Sequence, residues 1–534
     1  MRINIKVVTQ LSPDIEAPRT LLLAKNDWND WWNYQNQYYA EYKSDAGTIL
    51  ELGLVKVENP QQPPQPEPKH PLDVGFQGES LDPTLVSLGQ SDRYYEVLAS
   101  LPDAEREAFS ISFRDAVWDP RQLKSHINLP AVRKSLLRAI PISTVLGEFR
   151  RTLRKEGEAN YYHLKYQNGN LVANFVVSPT LKPRTNLHVL IGRNGVGKTT
   201  ILRRLASIVS TGKLYSSEEF AVIDEEGTEG SNDVIAGVQY VSWGPFDKFN
   251  EAAQWTLSPG VSYAQIGLDG ISQLKPDGGF EEPEVQGFSA YYRELDESVR
   301  STPPISFARI FGLVLQRRRN EIWLDAVAAL ESDPEFKRLP ILDTLRNHLS
   351  EDNFSMSESD LDYAAIAEAF SGLSEGHQAV LLTISYVAAT LAEQTLVILD
   401  EPEAHLHPPL LSSLIRCLND LLARKNAMGI VATHSPVVLQ EVPRSCALKI
   451  TGRDDLKTAT RPRVETFGED IGALTHEVFE LEVEDSGFYR TLRELASRFD
   501  NFDDALRELD GQLGISGRSA LRTLIALERA NNQL

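Results

Sequence analysis

The sequence has very few cysteines, since Cys417 and Cys446 are the two that occur in 534 residues. Two cysteines cannot supply a disulfide framework or a cysteine-based metal site, their context suggests packing, and they fit a reducing cytoplasm. The sequence also lacks any apolar run of about eighteen residues, so it predicts no transmembrane helix. The N-terminal segment alternates like a strand and has no apolar signal-peptide core. We therefore expect a cytoplasmic protein that does not enter a membrane.

Positive charge is scarce as well, because 54 Lys and Arg oppose 75 Asp and Glu, for a formal net charge of −21. A protein with this charge would not coat DNA over its whole surface. DNA contact would need local basic patches or a partner subunit. The sequence has two basic clusters, and each is more typical of a solvated helix face than of a binding site. They are Arg150, Arg151, Arg154 and Lys155, and Arg317, Arg318 and Arg319.

A glycine-rich segment is the strongest motif in the chain. An apolar run, Leu187–Ile191, leads into residues 192–199, which read G-R-N-G-V-G-K-T, and a helix-like run leads out. This strand–loop–helix context is the one that a phosphate-binding loop needs, because backbone N–H groups and a helix N-terminus then face the phosphates. Lys198 can reach the β- and γ-phosphates of ATP, and Thr199 can hold Mg²⁺. The predicted nucleotide-binding residues here are Gly192, Arg193, Asn194, Gly195, Val196, Gly197, Lys198, Thr199 and Thr200.

Two later stretches supply polar residues at the ends of buried strands. The apolar run Leu396–Leu399 ends in Asp400 and Glu401. Asp400 would meet the Mg²⁺ shell opposite Thr199, and Glu401 could polarise an attacking water. After the next strand-like run, His434 could hydrogen-bond the γ-phosphate and hold the water-activating glutamate in place. The predicted catalytic residues are Glu401, His434 and Lys198, and the predicted Mg²⁺ ligands are Thr199 and Asp400.

A serine and a glycine open the helix that precedes the Asp400 strand. Residues 373–378 read L-S-E-G-H-Q. Ser374 and Gly376 at a helix N-terminus offer a hydroxyl, free N–H groups and the helix dipole to an anion. A plain N-cap is the alternative interpretation. The later pair His405 and His407 could suggest a metal site, but no cysteine or clear third ligand accompanies it, so a subunit-contact loop is preferred.

These motifs, in this order, resemble the heads of ABC-type ATPases: Walker A, signature, Walker B with an adjoining glutamate, then a switch histidine. The segments L-V-I-L-D-E-P-E-A-H-L-H-P and T-H-S-P resemble the soluble branch that includes the RecF, SMC and OLD ATPases and many anti-phage defence ATPases, such as Septu-like systems. The resemblance covers roughly residues 144–215 and 371–436. It implies an α/β P-loop head that binds ATP and Mg²⁺.

The resemblance also implies partners. In such heads each ATP is sandwiched between the Walker motifs of one subunit and the signature of the other, here Ser374 and Gly376, so a homodimer or higher homo-oligomer is expected. Dimerisation on ATP and opening after hydrolysis would form a two-state switch. After His434 we find no glutamate followed by a D-x-D cluster, so a nuclease in the same chain is not expected. A separate nuclease or effector subunit is expected instead.

The chain departs from the family pattern at several positions. Glu375 replaces the first glycine of L-S-G-G-Q, and His377 stands where its glutamine would be. His407 occupies the D-loop position in place of aspartate. Gln239 is a weak candidate for the Q-loop glutamine, because it lies inside a strand-like run.

The rest of the sequence predicts how the chain is organised. Residues 1–57 are rich in β-formers and contain an aromatic stretch, Trp28–Tyr39, which we interpret as core rather than a stacking surface. A hairpin is predicted at 161–177, long loops at 250–300, and a βαβ unit from Thr395 to Thr433. The predicted domains are an α+β accessory domain at 1–140 with a Pro-rich loop at 58–71, two parts of the ATPase head at 141–215 and 371–460, an inserted loop and helical subdomain at 216–370, and a C-terminal helical extension at 461–534.

Several functions remain open at this point. The leading hypothesis is an Mg²⁺-dependent ATPase that switches a nuclease or effector, as in anti-phage defence. Alternatives are an ATP-binding sensor or scaffold with little turnover and a RecF- or SMC-like DNA-repair ATPase. The long N-terminal domain disfavours a transporter subunit. His434 disfavours an AAA+ ring.

Overall fold

The computed structural model describes most of the chain. The described residues are 2–11, 17–26, 33–127, 129–138, 140, 142–155, 161–215, 217–223, 229–230, 235, 237–244, 250–258, 261–274, 280–281, 288, 295, 302–317, 319–349, 361–452, 456–485 and 488–531. Within these ranges the strands form three sheets of six, four and nine strands. With helices packed on them, they make an α/β fold with mixed sheets, which confirms the predicted fold class.

The six-stranded sheet is built from the first ninety residues, and we call it the N-terminal sheet. Its neighbours pair antiparallel except for Asn4–Val8 and Thr20–Lys25, which are parallel. Inward-facing residues such as Ile5, Leu21 and Val55 are fully buried, and the helices that follow cover this face. In sheet order the strands are Gln77–Gly78, Asn4–Val8, Thr20–Lys25, Gln37–Lys43, Ile49–Glu58 and Val86–Gly89.

The four-stranded sheet contains the predicted hairpin and is antiparallel throughout. Strands Tyr162–Asn168 and Leu171–Val177 form the hairpin and are joined by Gly169 and Asn170, and Gly169 has a φ of 57°, a value that favours glycine. The sheet packs over the helix that follows the P-loop. In sheet order the strands are Glu229–Gly230, Glu218–Ile223, Tyr162–Asn168 and Leu171–Val177.

The nine-stranded sheet, which we call the main sheet, is parallel over its six central strands and antiparallel at both ends. The four innermost strands, Gly237–Ser242, Thr395–Asp400, Met428–Thr433 and Leu187–Ile191, are buried along their whole length because other elements cover both faces, which is the usual state of a parallel sheet. In sheet order the strands are Phe280–Glu281, Gly270–Leu274, Ser262–Gly267, Gly237–Ser242, Thr395–Asp400, Met428–Thr433, Leu187–Ile191, Ala447–Thr451 and Thr458–Thr460.

Helices connect many of these strands, and none of the described helices is long and apolar enough to cross a bilayer. The α-helices are Asp92–Ser100, Asp103–Ser112, Arg121–Ser125, Ile142–Thr144, Arg150–Arg154, Lys198–Thr211, Pro303–Gln316, Asn320–Leu330, Pro334–Lys337, Pro340–Leu349, Tyr363–Ser371, Glu375–Thr390, Pro408–Arg424, Pro436–Leu439, Ile471–Asp485, Phe488–Arg498, Phe502–Glu508 and Ile515–Asn531. Ala131–Leu136 and Val145–Phe149 are π-helical, and Asn250–Gln254, Pro402–His405 and Arg444–Cys446 are 3₁₀.

The largest hydrophobic core lies on one face of the main sheet. Helix Glu375–Thr390 runs through it and is buried on nearly all sides from Ala379 to Ala389. Helix Pro408–Arg424 connects the parallel strands Thr395–Asp400 and Met428–Thr433, which confirms the predicted βαβ unit. The core therefore holds rigid the elements that carry the motifs.

One sequence prediction needs correction here. The long loops predicted over residues 250–300 are wrong where Ser262–Gly267 and Gly270–Leu274 pair as a hairpin that extends the main sheet. Glycine and acidic residues hid these strands, although main-chain pairing tolerates both at a sheet edge. In the aromatic stretch, Tyr34 and Tyr38 are buried, as the core interpretation requires, and Tyr39 is exposed; residues 28–32 lie outside the described residues.

Several arginines of the two basic clusters are paired with other groups of the chain. Arg151 pairs with the buried Glu393 at 2.6 Å, and Arg154 donates to the Trp118 carbonyl at 2.8 Å. Arg319 pairs with Asp92 at 2.9 Å. Arg318 lies outside the described residues. Arg151–Glu393 and Arg319–Asp92 thus join the N-terminal region to the part of the chain that carries the main sheet, whereas Arg154 bonds within the N-terminal region.

Candidate functional site

Strand order brings the predicted motifs to one edge of the main sheet. The strand that ends in Asp400 and the strand that leads into the P-loop are separated by one strand, Met428–Thr433, and all three are parallel. The carboxyl ends of parallel strands meet at the same edge, where ligands bind in open α/β sheets. His434 follows the middle strand, so it lies between the P-loop and the Asp400–Glu401 pair.

The P-loop has the backbone shape that its glycines permit. Gly195 and Gly197 have φ values of 80° and 91°, in the left-handed region that residues with a Cβ seldom adopt. Helix Lys198–Thr211 begins directly after them. The Lys198 ammonium donates to the Gly192 carbonyl at 2.9 Å and to the Arg193 carbonyl at 3.1 Å. The lysine is thereby folded over the loop, with its charge inside the concave surface.

Lys198 is nearly inaccessible to solvent, and its burial lowers the pKa of the ammonium against the opposing pull of Glu401, Glu403 and Asp400. Desolvation disfavours the charged form, and carboxylates nearby favour it. A buried cation inside a glycine-rich loop is suited to a polyanion. The remaining predicted loop residues, Arg193, Asn194, Val196 and Thr200, lie around it with Asn194 and Thr200 exposed.

Asp400 is held by two hydroxyl groups. The Thr199 hydroxyl donates to its Oδ1 at 3.1 Å, and the Tyr240 hydroxyl donates to its Oδ2 at 3.0 Å. Burial raises the pKa of Tyr240 well above its usual range, and the Asp400 charge adds to this, so the phenol stays a donor. Tyr240 was not predicted from the sequence. Carboxylate and hydroxyl oxygens are the ligands that Mg²⁺ prefers, so Thr199 and Asp400 fit this ion.

Glu401 lies at the strand end in a left-handed backbone conformation, with φ 48° and ψ 57°. Its N–H donates to the Ala432 carbonyl at 2.9 Å, which fixes this unusual turn to the neighbouring strand. Such a conformation costs about 1–3 kcal/mol in a residue with a side chain and occurs preferentially at functional sites. The Glu401 carboxylate is 42% exposed and lies 3.9 Å from His434 Nδ1. The turn therefore presents Glu401 to solvent beside His434.

Glu403 is a further site residue that the sequence did not single out. Its Oε1 accepts from the Thr433 hydroxyl at 2.6 Å and from the His434 N–H at 2.8 Å, and it lies 3.1 Å from His434 Nδ1. The Glu403 side chain is only 9% exposed. The signal in the sequence was a third acid in D-E-P-E, but nothing local indicates that it turns toward His434.

Ser374 caps helix Glu375–Thr390. Its hydroxyl accepts from the His377 N–H at 3.4 Å and lies 2.9 Å from His377 Nδ1, and burial lowers the pKa of His377. Gly376 packs on the loop after Glu401, since a methyl group there would lie 2.6 Å from the His405 carbonyl oxygen. Among the described residues, no hydrogen bond joins Ser374 to the P-loop of its own chain. The N-cap interpretation describes the chain alone, and the phosphate-binding role stays a prediction.

The other tentative candidates have partners elsewhere. His405 Nε2 lies 3.1 Å from the Trp243 carbonyl oxygen, and His407 Nε2 lies 3.0 Å from the buried Asp333 carboxylate. These contacts anchor the loop after Glu401 to the core. Gln239 donates to Thr390 at 3.0 Å, at the far end of the helix that Ser374 begins. Because Gln239 is turned away from the edge with the P-loop, its weak assignment to the Q-loop is wrong.

A phosphate-binding loop, an Asp–Glu pair at a strand end and a histidine from the strand between them together define a P-loop ATPase domain. Residues 187–440 match the family described as "AAA domain, putative AbiEii toxin, Type IV TA system". The whole chain is 30% identical over 535 residues to protein ea59 of Escherichia phage lambda, with 96% of each chain covered. The chain belongs to the family of this phage lambda protein.

Solved structures with a similar fold include ATPase heads. One is an ATP-binding cassette of an ABC transporter in its ADP conformation, at 16% identity and a TM-score of 0.24, covering 53% of this chain and 85% of that one. Another is an SMC head domain from Thermotoga maritima, at 10% identity and a TM-score of 0.23, covering 57% of this chain and 100% of that one. With TM-scores this low, neither structure supports a conclusion about the site of this chain.

Proposed function

We propose that this protein is an Mg²⁺-dependent ATPase whose two nucleotide sites are completed by dimerisation. The observation that carries the proposal is the contact between Thr199 and Asp400, 3.1 Å apart and 201 positions apart in the chain. It joins the P-loop to the acidic strand end and forms the oxygen pair that an Mg–ATP site needs. The family match at residues 187–440 supports the same class of activity.

Each site residue then has a role within this chain. The N–H groups from Gly195 to Thr200 and the helix N-terminus bind phosphate oxygens, and Lys198 adds charge. Thr199 and Asp400 would hold Mg²⁺, and the bound ion would neutralise phosphate charge. Glu401 orients and deprotonates the attacking water. His434 donates toward the γ-phosphate, and Glu403 keeps its backbone and ring in place.

The second subunit contributes Ser374 and Gly376. Ser374 is exposed at a helix N-terminus and is not bonded to its own P-loop, as a residue that serves a neighbouring subunit must be. A closed dimer would bring its hydroxyl and helix dipole to the partner's nucleotide. This arrangement links ATP binding to assembly, so the ATP state becomes a two-state switch.

We further propose that this switch controls a separate nuclease or effector in the cytoplasm, as part of prokaryotic anti-phage defence. The matched family is described as a toxin of a type IV toxin–antitoxin system, and the relative is encoded by a phage, so both fit conflict between phage and host. The N-terminal sheet and the C-terminal helices Phe488–Arg498, Phe502–Glu508 and Ile515–Asn531 are surfaces outside the ATPase domain where an effector could bind.

A sensor or scaffold with little turnover is the second candidate. The altered signature favours it, because Glu375 introduces a negative charge and His377 contacts the Ser374 hydroxyl. Steady-state ATP hydrolysis distinguishes the two functions. We expect wild type to hydrolyse ATP, and we expect Glu401→Gln to bind ATP but lose at least about a hundredfold in kcat. ATP binding without wild-type turnover would favour the scaffold.

A mixing experiment tests the shared site. Lys198→Ala and Ser374→Ala should each be inactive alone. In a mixed dimer, the intact P-loop of the Ser374→Ala subunit faces the intact serine of the Lys198→Ala subunit, so one site is complete. We expect mixing to restore part of the activity, and a double variant carrying both changes, mixed with wild type, serves as the control. No recovery on mixing, with dimers present by light scattering, would contradict a site shared between subunits.

A further inference from the structure

A lysine that is far from the P-loop in the sequence lies against it in the structure. Strand Ala447–Thr451 is parallel to the P-loop strand, on the side opposite to Met428–Thr433. Its carboxyl end and the turn that follows therefore reach the same edge of the main sheet as the P-loop. The Thr451 and Thr458 hydroxyls, 3.0 Å apart, close this turn, and residues 453–455 within it lie outside the described residues.

Lys457 at the end of the turn extends over Gly197. A methyl group added to Gly197 would lie 2.7 Å from Lys457 Nζ and 3.3 Å from its Cε, and 3.9 Å from Thr200 Cβ. The ammonium thus lies at the junction between the P-loop and its helix. Glycine at 197 serves two purposes, because it permits a φ of 91° and leaves room for this side chain.

The electrostatic setting of Lys457 favours an anion as its partner. Among the described residues, no carboxylate forms an ion pair with it. It lies beside a helix N-terminus, where the helix dipole is positive and repels a cation. A cation beside a helix N-terminus is unfavourable, and an anion bound at the same place would relieve the repulsion between the two groups.

We propose that Lys457 is a phosphate-binding residue that contacts the α- and β-phosphates of the nucleotide. This inference rests on the proposed function. The order across the sheet is Asp400, His434, P-loop and Lys457. The γ-phosphate and Mg²⁺ belong on the Asp400 side, so the phosphates nearest Lys457 are those at the opposite end of the triphosphate. Lys198 then binds the γ-phosphate end of the triphosphate, and Lys457 binds the α-phosphate end.

The test compares Lys457→Ala, Lys457→Gln and Lys457→Arg with wild type. Lys213→Ala is the matched control, because it removes the same charge from the exposed far end of the P-loop helix, about 20 Å away. Lys198→Ala is the reference for a lost P-loop cation. The measurements are Kd for ATP and for ADP, KM and kcat for ATP, and the melting temperature without nucleotide, which checks folding.

We expect Lys457→Ala and Lys457→Gln to raise Kd for ATP and for ADP by about tenfold each, the loss typical of one charge-assisted hydrogen bond. KM should rise with little change in kcat, because the α- and β-phosphates are bound equally in the ground and transition states. The Kd values of Lys457→Arg for ATP and ADP should remain within about threefold of those of wild type. Lys213→Ala should bind both nucleotides as wild type does.

Two results would overturn the proposal. One is a folded Lys457→Ala variant, and a folded Lys457→Gln variant, that bind ATP and ADP as wild type does. The other is a fall in kcat at unchanged KM, which would place the lysine at the γ-phosphate. If wild type itself bound no ATP while Lys198→Ala behaved identically, the proposed function would fail, and this inference with it; that outcome differs from a failure confined to Lys457.

Discussion

Glu403 holds His434 both by its backbone and by its ring: Oε1 accepts the His434 N–H at 2.8 Å and lies 3.1 Å from Nδ1. Glu401, two residues earlier, lies farther away at 3.9 Å from Nδ1 and is more exposed. The two acids therefore have different tasks. In the proposed mechanism, Glu401 faces the solvent from which the attacking water enters, and Glu403 positions the histidine.

Replacing Glu403 with glutamine should slow hydrolysis without preventing binding. The amide removes the negative charge next to His434 Nδ1 and can present an N–H where an acceptor is needed, so the ring loses its fixed orientation. We expect kcat to fall about tenfold to a hundredfold while Kd for ATP stays within threefold. Glu494→Gln, on the exposed helix Phe488–Arg498, is the control. An unchanged kcat would show that His434 needs no such support.

Tyr240→Phe tests the hydrogen bond that the Tyr240 hydroxyl donates to Asp400. The change removes one hydroxyl donor to the Asp400 carboxylate, which is 2% exposed, and keeps the ring. We expect a loss of about 1 kcal/mol in stability, typical of one buried hydrogen bond, and a few-fold rise in the Mg²⁺ concentration needed for half-maximal activity. Trp243→Phe removes the hydrogen bond that the Trp243 indole donates to Thr383. It is the control for an effect on stability alone. Equal Mg²⁺ requirements in both variants and wild type would contradict the role of Tyr240.

Lys425 joins the ATPase domain to the N-terminal region. It pairs with Asp92 at 2.9 Å and Glu148 at 2.5 Å, and all three side chains are less than one-fifth exposed. Although burial opposes it, the Arg319 and Lys425 charges lower the pKa of Asp92 to about 2. Removing the lysine leaves two carboxylates with too little positive charge. We expect Lys425→Met to destabilise the protein by about 3 kcal/mol in urea unfolding.

Arg184→Ala is the matched control for that loss. Arg184 pairs with Asp420 at 2.5 Å, but both side chains are about half exposed. Exposed ion pairs contribute at most about 1 kcal/mol, because water and salt screen them. Similar destabilisation in the two variants would mean that burial does not strengthen the Lys425 pairs.

Much of the site was predictable because its motifs are local. The P-loop glycines, the Asp400–Glu401 pair and His434 each end a buried strand, and both the apolar run and the polar residues after it are visible in the sequence. The structure brings Thr199 and Asp400 into contact as expected. The α/β fold and the βαβ unit followed from the same patterns.

The contacts that sequence could not predict depend on tertiary packing. Lys457 meets Gly197 only because Ala447–Thr451 lies beside the P-loop strand, and no local pattern encodes this neighbour. Tyr240 reaches Asp400 because Gly237–Ser242 pairs in a register that places Ser242 opposite Asp400. Glu403 looks like any surface acid until its 3₁₀ turn directs it to His434. Registers and side-chain directions of this kind arise from the whole sheet.

His188 makes the stability of the ATPase domain depend on pH. It lies in the P-loop strand with no solvent exposure, its ring against Phe175 with centroids 5.4 Å apart. Burial lowers the pKa of His188 to about 3, and the positive charge of Arg461 adds to this. The unfolded chain binds a proton at this residue below about pH 6.5, but the native protein does so only near pH 3. The contribution of His188 to stability is therefore complete above pH 6.5 and declines as the pH falls toward 3.

His188→Phe should remove this dependence, because phenylalanine keeps an aromatic ring against Phe175 and has no proton to bind. For the native histidine we expect a loss of about 2 kcal/mol between pH 7 and pH 5, at about 1.4 kcal/mol for each pH unit below 6.5. The measurement is the free energy of unfolding in urea at both pH values, compared as a difference so that any packing cost of the larger ring cancels. His476→Phe, at an exposed position in helix Ile471–Asp485, should keep the wild-type difference. If His188→Phe lost as much stability on acidification as wild type, the acid sensitivity would have to come from other groups, and His188 would be charged or solvated in the native strand.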